Sequence, residues 1–132
     1  MSPFTRIAGG LALLTTLACA PKPQAQGPSQ VVHATTAAFP GYLAQDKPVI
    51  VDFWAPWCPP CRVQGPIMDS VSMQVAGKAL VLKVDVDKEP KLAAQFGVRS
   101  IPTLVILRQG KVTQQFVGVQ QADDLVRALA TP

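Results

Sequence analysis

The chain has 132 residues, of which 48% are hydrophobic and 15% are charged, and its formal net charge is +4. This length supports a single domain with one hydrophobic core and excludes a multidomain protein. The lysines and arginines are scattered and lack the clustering and interleaved aromatic residues of a nucleic-acid-binding surface, so we expect no nucleic-acid partner.

The N-terminal residues 1–19 have the features of an export signal. Arg6 supplies a positive charge, and residues 7–18 form an apolar run that is too short to span a bilayer as a mature helix. We therefore expect the protein to be exported to the cell envelope, either to the periplasm or to the outer face of the membrane.

The position at which the signal is cleaved decides whether the exported protein is anchored to a membrane or released. Residues 17–19 (Leu-Ala-Cys) resemble the end of a bacterial lipoprotein signal, in which the cysteine becomes lipidated. Residues 18–20 also have the small-x-small pattern of ordinary signal peptidase, but Pro21 should obstruct cleavage there. We expect a lipid anchor at Cys19, with a soluble exported form or an uncleaved anchor as alternatives. Cys19 would otherwise be a chance cysteine inside a discarded signal.

Residues 20–30 contain three prolines, one glycine and few apolar side chains. This composition predicts an extended linker without a fold of its own. The linker would hold the domain of residues 31–132 a short distance from a membrane surface.

The pattern of the domain predicts helices that alternate with strands, followed by a hairpin and a last helix. The strands are expected at Ser29–Ala34, Val49–Trp54, Leu80–Val86, Thr103–Leu107 and Val112–Val117. The helices are expected from Thr35 or Thr36 toward Ala44, from Pro59 toward Gly77, from Pro90 to Phe96 and, with Asp123 or Asp124 in its first turn, near the C-terminus.

Two prolines should disturb the predicted helices. Pro40-Gly41 should interrupt the first helix, and Pro66 should kink the second. The buried face of that second helix is expected at a spacing of four residues, on Val63, Ile67, Val71 and Val75.

The pair Cys58 and Cys61 lies where the apolar strand Val49–Trp54 gives way to a helix that begins with Pro59. A cysteine just before a helix meets free backbone N–H groups and the positive end of the helix dipole, and both favour thiolate over thiol. Cys58 is therefore the candidate nucleophile toward a substrate disulfide. Cys61, three residues further on, is the candidate resolving thiol.

Two other uses of a cysteine pair are less consistent with this spacing. A structural bridge that closes so small a loop would remove little entropy from the unfolded chain. A zinc site would need further ligands, and the single histidine, His33, is far away in the sequence and is expected to have no role.

The stretch Val-Asp-Phe-Trp-Ala-x-Trp-Cys-x-Pro-Cys, with Pro66 five residues after the second cysteine, resembles thioredoxin. Lys83, Ile101-Pro102-Thr103, Gly110 and Gly118 follow in a similar order and spacing, so that the resemblance covers about residues 31–129. It implies an α/β protein with the thioredoxin fold, in which helices flank both faces of a central mixed sheet.

The resemblance also implies roles for an acid and a lysine. Asp52 lies within an apolar strand, where burial should raise its pKa. By resemblance it is the buried acid that exchanges a proton with Cys61, and Lys83 is its partner and modulator. Without the resemblance, Asp52 could instead be a cap or face water at a strand edge.

A substrate-binding surface is implied as well. Pro102 resembles the cis-proline opposite the cysteines, which leaves the backbone of Ile101 free to pair with an extended substrate, although a trans proline would fit the local sequence too. Gly118 is expected to keep this surface open. The side chains expected to contact the substrate around Cys58 are Trp57, Pro59 and Pro60, with Trp54 and Pro56 extending the apolar surface.

The implied activity is thiol-disulfide oxidoreduction without a cofactor or metal, because the redox group is the Cys58–Cys61 pair itself. We expect a monomer that reduces protein disulfides in the envelope and takes electrons from a membrane thiol reductase. Pro59 stands where thioredoxin usually has glycine, and Pro56 where it has a polar residue, so the redox poise could differ. The alternatives are an envelope disulfide oxidant or isomerase, and a binding module whose cysteines are incidental.

Overall fold

The computed structural model describes residues 28–132, and the predicted export signal and most of the linker lie outside this range. In chain order the elements are β1 (Val32–His33), α1 (Phe39–Leu43), β2 (Val49–Trp54), α2 (Pro59–Gln74), β3 (Leu80–Asp85), α3 (Pro90–Gln95), β4 (Thr103–Arg108), β5 (Lys111–Val117) and α4 (Ala122–Ala130). None of the helices in residues 28–132 is both long and apolar enough to cross a membrane.

The five strands form one sheet in the order β1-β3-β2-β4-β5. Strands β1, β3 and β2 are parallel to one another. Beyond β2, β4 is antiparallel to β2, and β5 is antiparallel to β4. The predicted mixed sheet with the thioredoxin fold is therefore confirmed. β2 is the central strand, so its C-terminal end opens at the middle of one edge of the sheet, where the cysteine pair follows it.

Two apolar layers cover the faces of the sheet. Side chains of a strand alternate between faces, so Val51 and Phe53 of β2 pack with Phe39 and Leu92 on one face. Ile50 of β2 contributes to the layer on the other face. That second layer also contains Met68 and Val71 of α2 and Leu125 and Leu129 of α4. Helices on both faces thus bury the sheet, and α2 is held along its length with the cysteines at its N-terminal end.

The N-terminal elements differ from their prediction. β1 has two residues instead of six, and α1 begins at Phe39, with no side-chain cap. Thr35 accepts a hydrogen bond from the backbone N–H of Ala38 in the turn before α1, at 3.3 Å. Pro40 does not interrupt the helix, because it lies in the first turn, where an N–H has no partner within the helix.

The buried face of α2 was predicted incorrectly at its first position. Val63 is 58% exposed, whereas Gln64 is fully buried one residue later. Ile67 is half-buried, and Val71 and Val75 are buried as predicted. A strict spacing of four residues drifts by about 40° at each step around a helix of 3.6 residues per turn, so four such positions cannot share one face. The helix runs without a break through Pro66.

The remaining elements agree with the sequence to within a residue or two. The predicted hairpin turns at Gln109-Gly110, where both residues have positive φ angles of 50° and 75°. Such angles suit the tight turns that join two antiparallel strands. The first turn of α4 carries Asp123 and Asp124, as predicted from the helix dipole.

Candidate active site

The two cysteines of the strand-to-helix junction are joined by a disulfide and are almost completely buried. Cys58 is the N-cap residue of α2 and has an extended backbone, and Pro59 follows in the first turn. The backbone N–H of Cys61 donates a hydrogen bond to Sγ of Cys58, with a separation of 3.3 Å. After reduction, this N–H and the helix dipole are placed to stabilise a thiolate at Cys58.

A groove of about 450 Å³ opens beside Cys58. Four of the residues that were expected to contact a substrate line it: Trp57, Pro59, Pro60 and Ile101. Sequence analysis missed five others, namely Val86, Ala93, Val98, Arg99 and Ser100. These five come from the segment after β3, from α3 and from the loop before β4, and no local pattern links them to the cysteines.

Two interactions hold the turn that presents Cys58. Trp57 is 62% exposed, and its indole Nε1–H donates a hydrogen bond to Oδ2 of Asp87 at 2.7 Å. On the other side of the turn, the guanidinium of Arg62 donates from two nitrogens to the carbonyl oxygen of Pro56, both at 3.3 Å. The apolar ring beside Cys58 is thus exposed to a partner and yet fixed in orientation.

The Ile101–Pro102 peptide bond is cis, as the resemblance implied. The carbonyl oxygen of Ile101 lies 3.7 Å from Sγ of Cys58. Pro102 and Gly118 do not line the groove. Instead, the backbone N–H of Gly118 donates to the carbonyl oxygen of Pro102 at 2.8 Å, where β5 ends beside the start of β4. Gly118 has a φ of 87°, which favours glycine, and a Cβ there would meet no atom within 4 Å, so its role in keeping the surface open stays a prediction.

Trp54 packs against the buried cluster that contains Cys58 and Cys61, but neither Trp54 nor Pro56 lines the groove beside Cys58. They line a second cavity, of about 440 Å³, together with Lys83 and His33. Trp54 is the last residue of β2, and its ring meets that of His33 edge to face at a centroid distance of 6.1 Å. The two tryptophans therefore belong to different cavities.

Asp52 is fully buried in the middle of β2. Neither of its carboxylate oxygens has a hydrogen-bond partner among residues 28–132. Burial raises the pKa of Asp52 from 3.8 to about 7, and the positive charge of Lys83 lowers it only in part. An acid with this pKa can both accept and donate a proton near neutral pH, which is the property required of a proton carrier for a thiol.

Lys83 is the residue opposite Asp52 in the neighbouring strand β3. Its Nζ lies 4.2 Å from the ring centroid of Trp54, a cation–π contact. Gly65 of α2 is a close neighbour, because a Cβ at this glycine would lie 3.7 Å from Nζ, an ordinary van der Waals distance. Because Asp52 has no hydrogen-bond partner among residues 28–132, the ammonium group of Lys83 acts on the acid through space.

Replacing Lys83 with methionine should raise the pKa of Asp52 above about 7. The stem would keep most of its packing, but the charge that favours the carboxylate would be lost. The titration of Asp52 can be followed by the 13C shift of its carboxyl carbon. Lys78→Met, at an exposed position after α2, is the matched control and should leave the midpoint in place. An unchanged midpoint in Lys83→Met would contradict the electrostatic role of Lys83.

Gln64 is a buried residue near the site that sequence analysis missed. Its amide bonds both backbone groups of Gln120: Nε2–H donates to the carbonyl oxygen at 3.3 Å, and Oε1 accepts from the N–H at 2.8 Å. The first turns of α2 are thereby tied to the loop after β5, two residues beyond Gly118. The only signal in the sequence was a polar residue beside the predicted apolar face.

We expect Gln64→Leu to lower the free energy of unfolding by about 1–3 kcal/mol, because the backbone N–H and C=O of Gln120 would lose their partners. Urea denaturation would measure the loss, and amide hydrogen exchange at Gln120 should become faster. The matched control is Gln74→Leu, an exposed glutamine of the same helix. Equal stability of the two variants would show that the pairing with Gln120 contributes little.

Within residues 28–132, no group of three or more His, Cys, Asp or Glu side chains is arranged to hold a metal ion. The redox-active group at this site is the Cys58–Cys61 disulfide itself. It stores two electrons when reduced to the dithiol, so the site can exchange electrons with other disulfides directly.

The sequence of this chain is similar to those of known proteins with the same kind of site. The family model described as Thioredoxin matches residues 30–131. Thioredoxin 1 of Nostoc sp. is 46% identical over 87 residues, which are 66% of this chain and 81% of that protein. A thioredoxin of Alicyclobacillus acidocaldarius is 42% identical over 96 residues, or 73% and 91% of the two chains.

A solved structure is also similar to this chain. A point mutant of the thioredoxin from Halobacterium salinarum NRC-1 superposes with a TM-score of 0.71 at 30% identity. The match covers 79% of this chain and 91% of that one.

Proposed function

This chain belongs to the thioredoxin family and is a thiol-disulfide oxidoreductase, and from that premise we propose that it reduces protein disulfides in the cell envelope while anchored to a membrane through Cys19. The observation that carries the dithiol chemistry is the placement of Cys58 at the start of α2, beside a groove that can hold a partner segment. The similarity to thioredoxins supports the reductive direction. The apolar run of residues 7–18 and the following cysteine support the location.

The proposed reaction begins with the dithiol form. The Cys58 thiolate attacks one sulfur of a substrate disulfide, forming a mixed disulfide and releasing the other substrate sulfur as a thiolate, which takes a proton. Cys61 then loses its proton to Asp52, and its thiolate attacks Sγ of Cys58. The mixed disulfide breaks, the second substrate thiol leaves with a proton, and the Cys58–Cys61 disulfide forms. Two electrons and two protons pass to the substrate.

Each turnover leaves the protein oxidised, so two electrons must be returned to it. We propose a membrane thiol reductase as the donor, because an anchored domain outside the cytoplasm would be out of reach of soluble cytoplasmic reductants. The Pro-rich segment of residues 20–30 supports this arrangement, since an extended linker gives a domain reach above a membrane.

The reduction potential tests the direction of the reaction. The full-length protein is equilibrated with mixtures of reduced and oxidised glutathione, and the fraction in the dithiol form is read from tryptophan fluorescence. We expect a value near that of thioredoxin, about −270 mV. A value near that of the oxidant DsbA, about −120 mV, would overturn the reductase and favour an envelope oxidant or isomerase.

A second experiment tests the location independently of the chemistry. The mass of the mature N-terminus and the distribution between membrane and soluble fractions are compared for the natural protein and Cys19→Ala. Lipidation predicts a membrane-bound natural protein with an acylated N-terminal cysteine, and release or failure of processing in the variant. An unmodified N-terminus downstream of Cys19 would overturn the anchor.

A further inference from the structure

Among the described residues that line the groove beside Cys58, one is charged: Arg99. Its other walls are largely apolar and include Trp57, Pro60, Val86 and Val98. Arg99 is exposed, and its guanidinium makes no hydrogen bond or ion pair with another residue of the range 28–132. Its five N–H donors are thus available to a partner in a fork that fits a carboxylate.

The charges next to the groove do not cancel that of Arg99. Among the described residues, one carboxylate is hydrogen-bonded to a lining residue: Asp87 accepts from the indole of Trp57 and keeps its negative charge, since the indole is neutral. Arg62, on the far side of the turn at Pro56, adds a second positive charge near the cysteines. A partner segment in the groove therefore meets an apolar floor with a cation at its edge.

From this arrangement we infer that the groove selects extended protein segments that carry an acidic side chain close to the reactive cysteine. The inference rests on the proposed function, because it names the substrate class of the same site. The carboxylate of the partner would pair with Arg99, while the apolar residues around its cysteine would pack against Trp57 and Pro60.

The position of Arg99 limits where the acidic residue can be. Arg99 is two residues before Ile101, whose carbonyl oxygen lies 3.7 Å from Sγ of Cys58. The Cα atoms of Arg99 and Ile101 are therefore at most about 7 Å apart, and the side chain of Arg99 extends from that point. The partner's acidic residue should accordingly lie within about two or three residues of its cysteine. It should lie on the part of the bound segment that is nearer to the loop before β4, which carries Arg99.

The experiment uses the full-length protein and three peptides that differ at one residue next to a disulfide-bonded cysteine: glutamate, glutamine or lysine. We expect kcat/KM to be about fivefold higher for the glutamate peptide than for the lysine peptide at low salt, the size of an exposed ion pair. The preference should shrink in 0.5 M NaCl, where exposed charges are screened. Arg99→Glu should reverse the order. An increased kcat/KM of this variant toward the lysine peptide would also show that the variant is folded.

The matched control is Lys111→Glu, which changes the net charge equally at the end of the sheet remote from the cysteines. It should keep the preference for glutamate. An equal change in both variants, or no change in Arg99→Glu, would overturn the inference while leaving the reductase in place. If the natural protein reduced neither the peptides nor the uncharged bis(2-hydroxyethyl) disulfide, the proposed function itself would fail.

Discussion

Replacing Cys58 with serine should reduce the rate of disulfide reduction to that of the reaction without protein. A serine hydroxyl cannot form a mixed disulfide with a substrate sulfur, so the first step has no substitute. The groove and the helix dipole would remain, and partner binding should be retained. Turnover of a protein disulfide such as insulin, followed by precipitation of its reduced chain, measures the loss.

The companion variant Cys61→Ser separates the two steps. Cys58 should still attack, but nothing would release the intermediate, so a stable mixed disulfide with the substrate should accumulate and appear by mass spectrometry. Cys19→Ser is the control for a cysteine outside the site: it removes the proposed anchor but no group of the site, so its turnover in detergent solution should equal that of the natural protein. Trapping by Cys58→Ser instead of Cys61→Ser would reverse the assignment of nucleophile and resolving thiol.

Asp52→Asn should slow release of the mixed disulfide by about a hundredfold at pH 8, a typical loss for a missing proton acceptor. The natural protein should become faster between pH 6 and pH 8, because the pKa of Asp52 is about 7 and the ionised form accepts the proton. Single-turnover kinetics of the second step would show this rise in the natural protein and its absence in the variant. A parallel rise in both proteins would exclude Asp52 as the acceptor.

The same substitution should change the stability of the fold with pH. Because the pKa of Asp52 is 3.8 when unfolded and about 7 when folded, the folded state binds the proton more tightly. The resulting stabilisation is complete below pH 3.8 and is lost as the pH rises through 7. The rise in pKa corresponds to about 4 kcal/mol, at 1.36 kcal/mol for each pH unit.

The difference in the free energy of unfolding, Asp52→Asn minus natural protein, should therefore grow by about 4 kcal/mol between pH 4 and pH 8. Urea titrations at the two pH values measure it. Glu89 acts in the opposite direction, since its hydrogen bonds with Thr36 lower its pKa, but this contribution is common to both proteins and cancels. Asp46→Asn, at an exposed position, is the matched control. A constant difference would show that burial does not hold the proton on Asp52.

The elements around the site were predictable because their signals are local. The apolar strand Val49–Trp54, the prolines at the start of α2 and the Gln109-Gly110 turn act over a few residues, through backbone angles and missing N–H groups. Burial of Asp52 followed from its apolar neighbours in the same strand. Val63 was misplaced because a spacing of four residues drifts away from one face of a helix, and packing against the sheet buried Gln64 instead.

By itself, the sequence determined the dithiol chemistry: two cysteines three residues apart at a helix start, with an acid inside the preceding strand. Only the tertiary structure decided what surrounds them. It brought Ile101 to Cys58 and Gln120 to Gln64, across 43 and 56 residues of chain. It also placed Arg99 in the groove and Trp54 beside Lys83 in the second cavity. Local chemistry is set by neighbours along the chain, whereas a groove forms where distant segments meet, and their meeting depends on how the whole core packs.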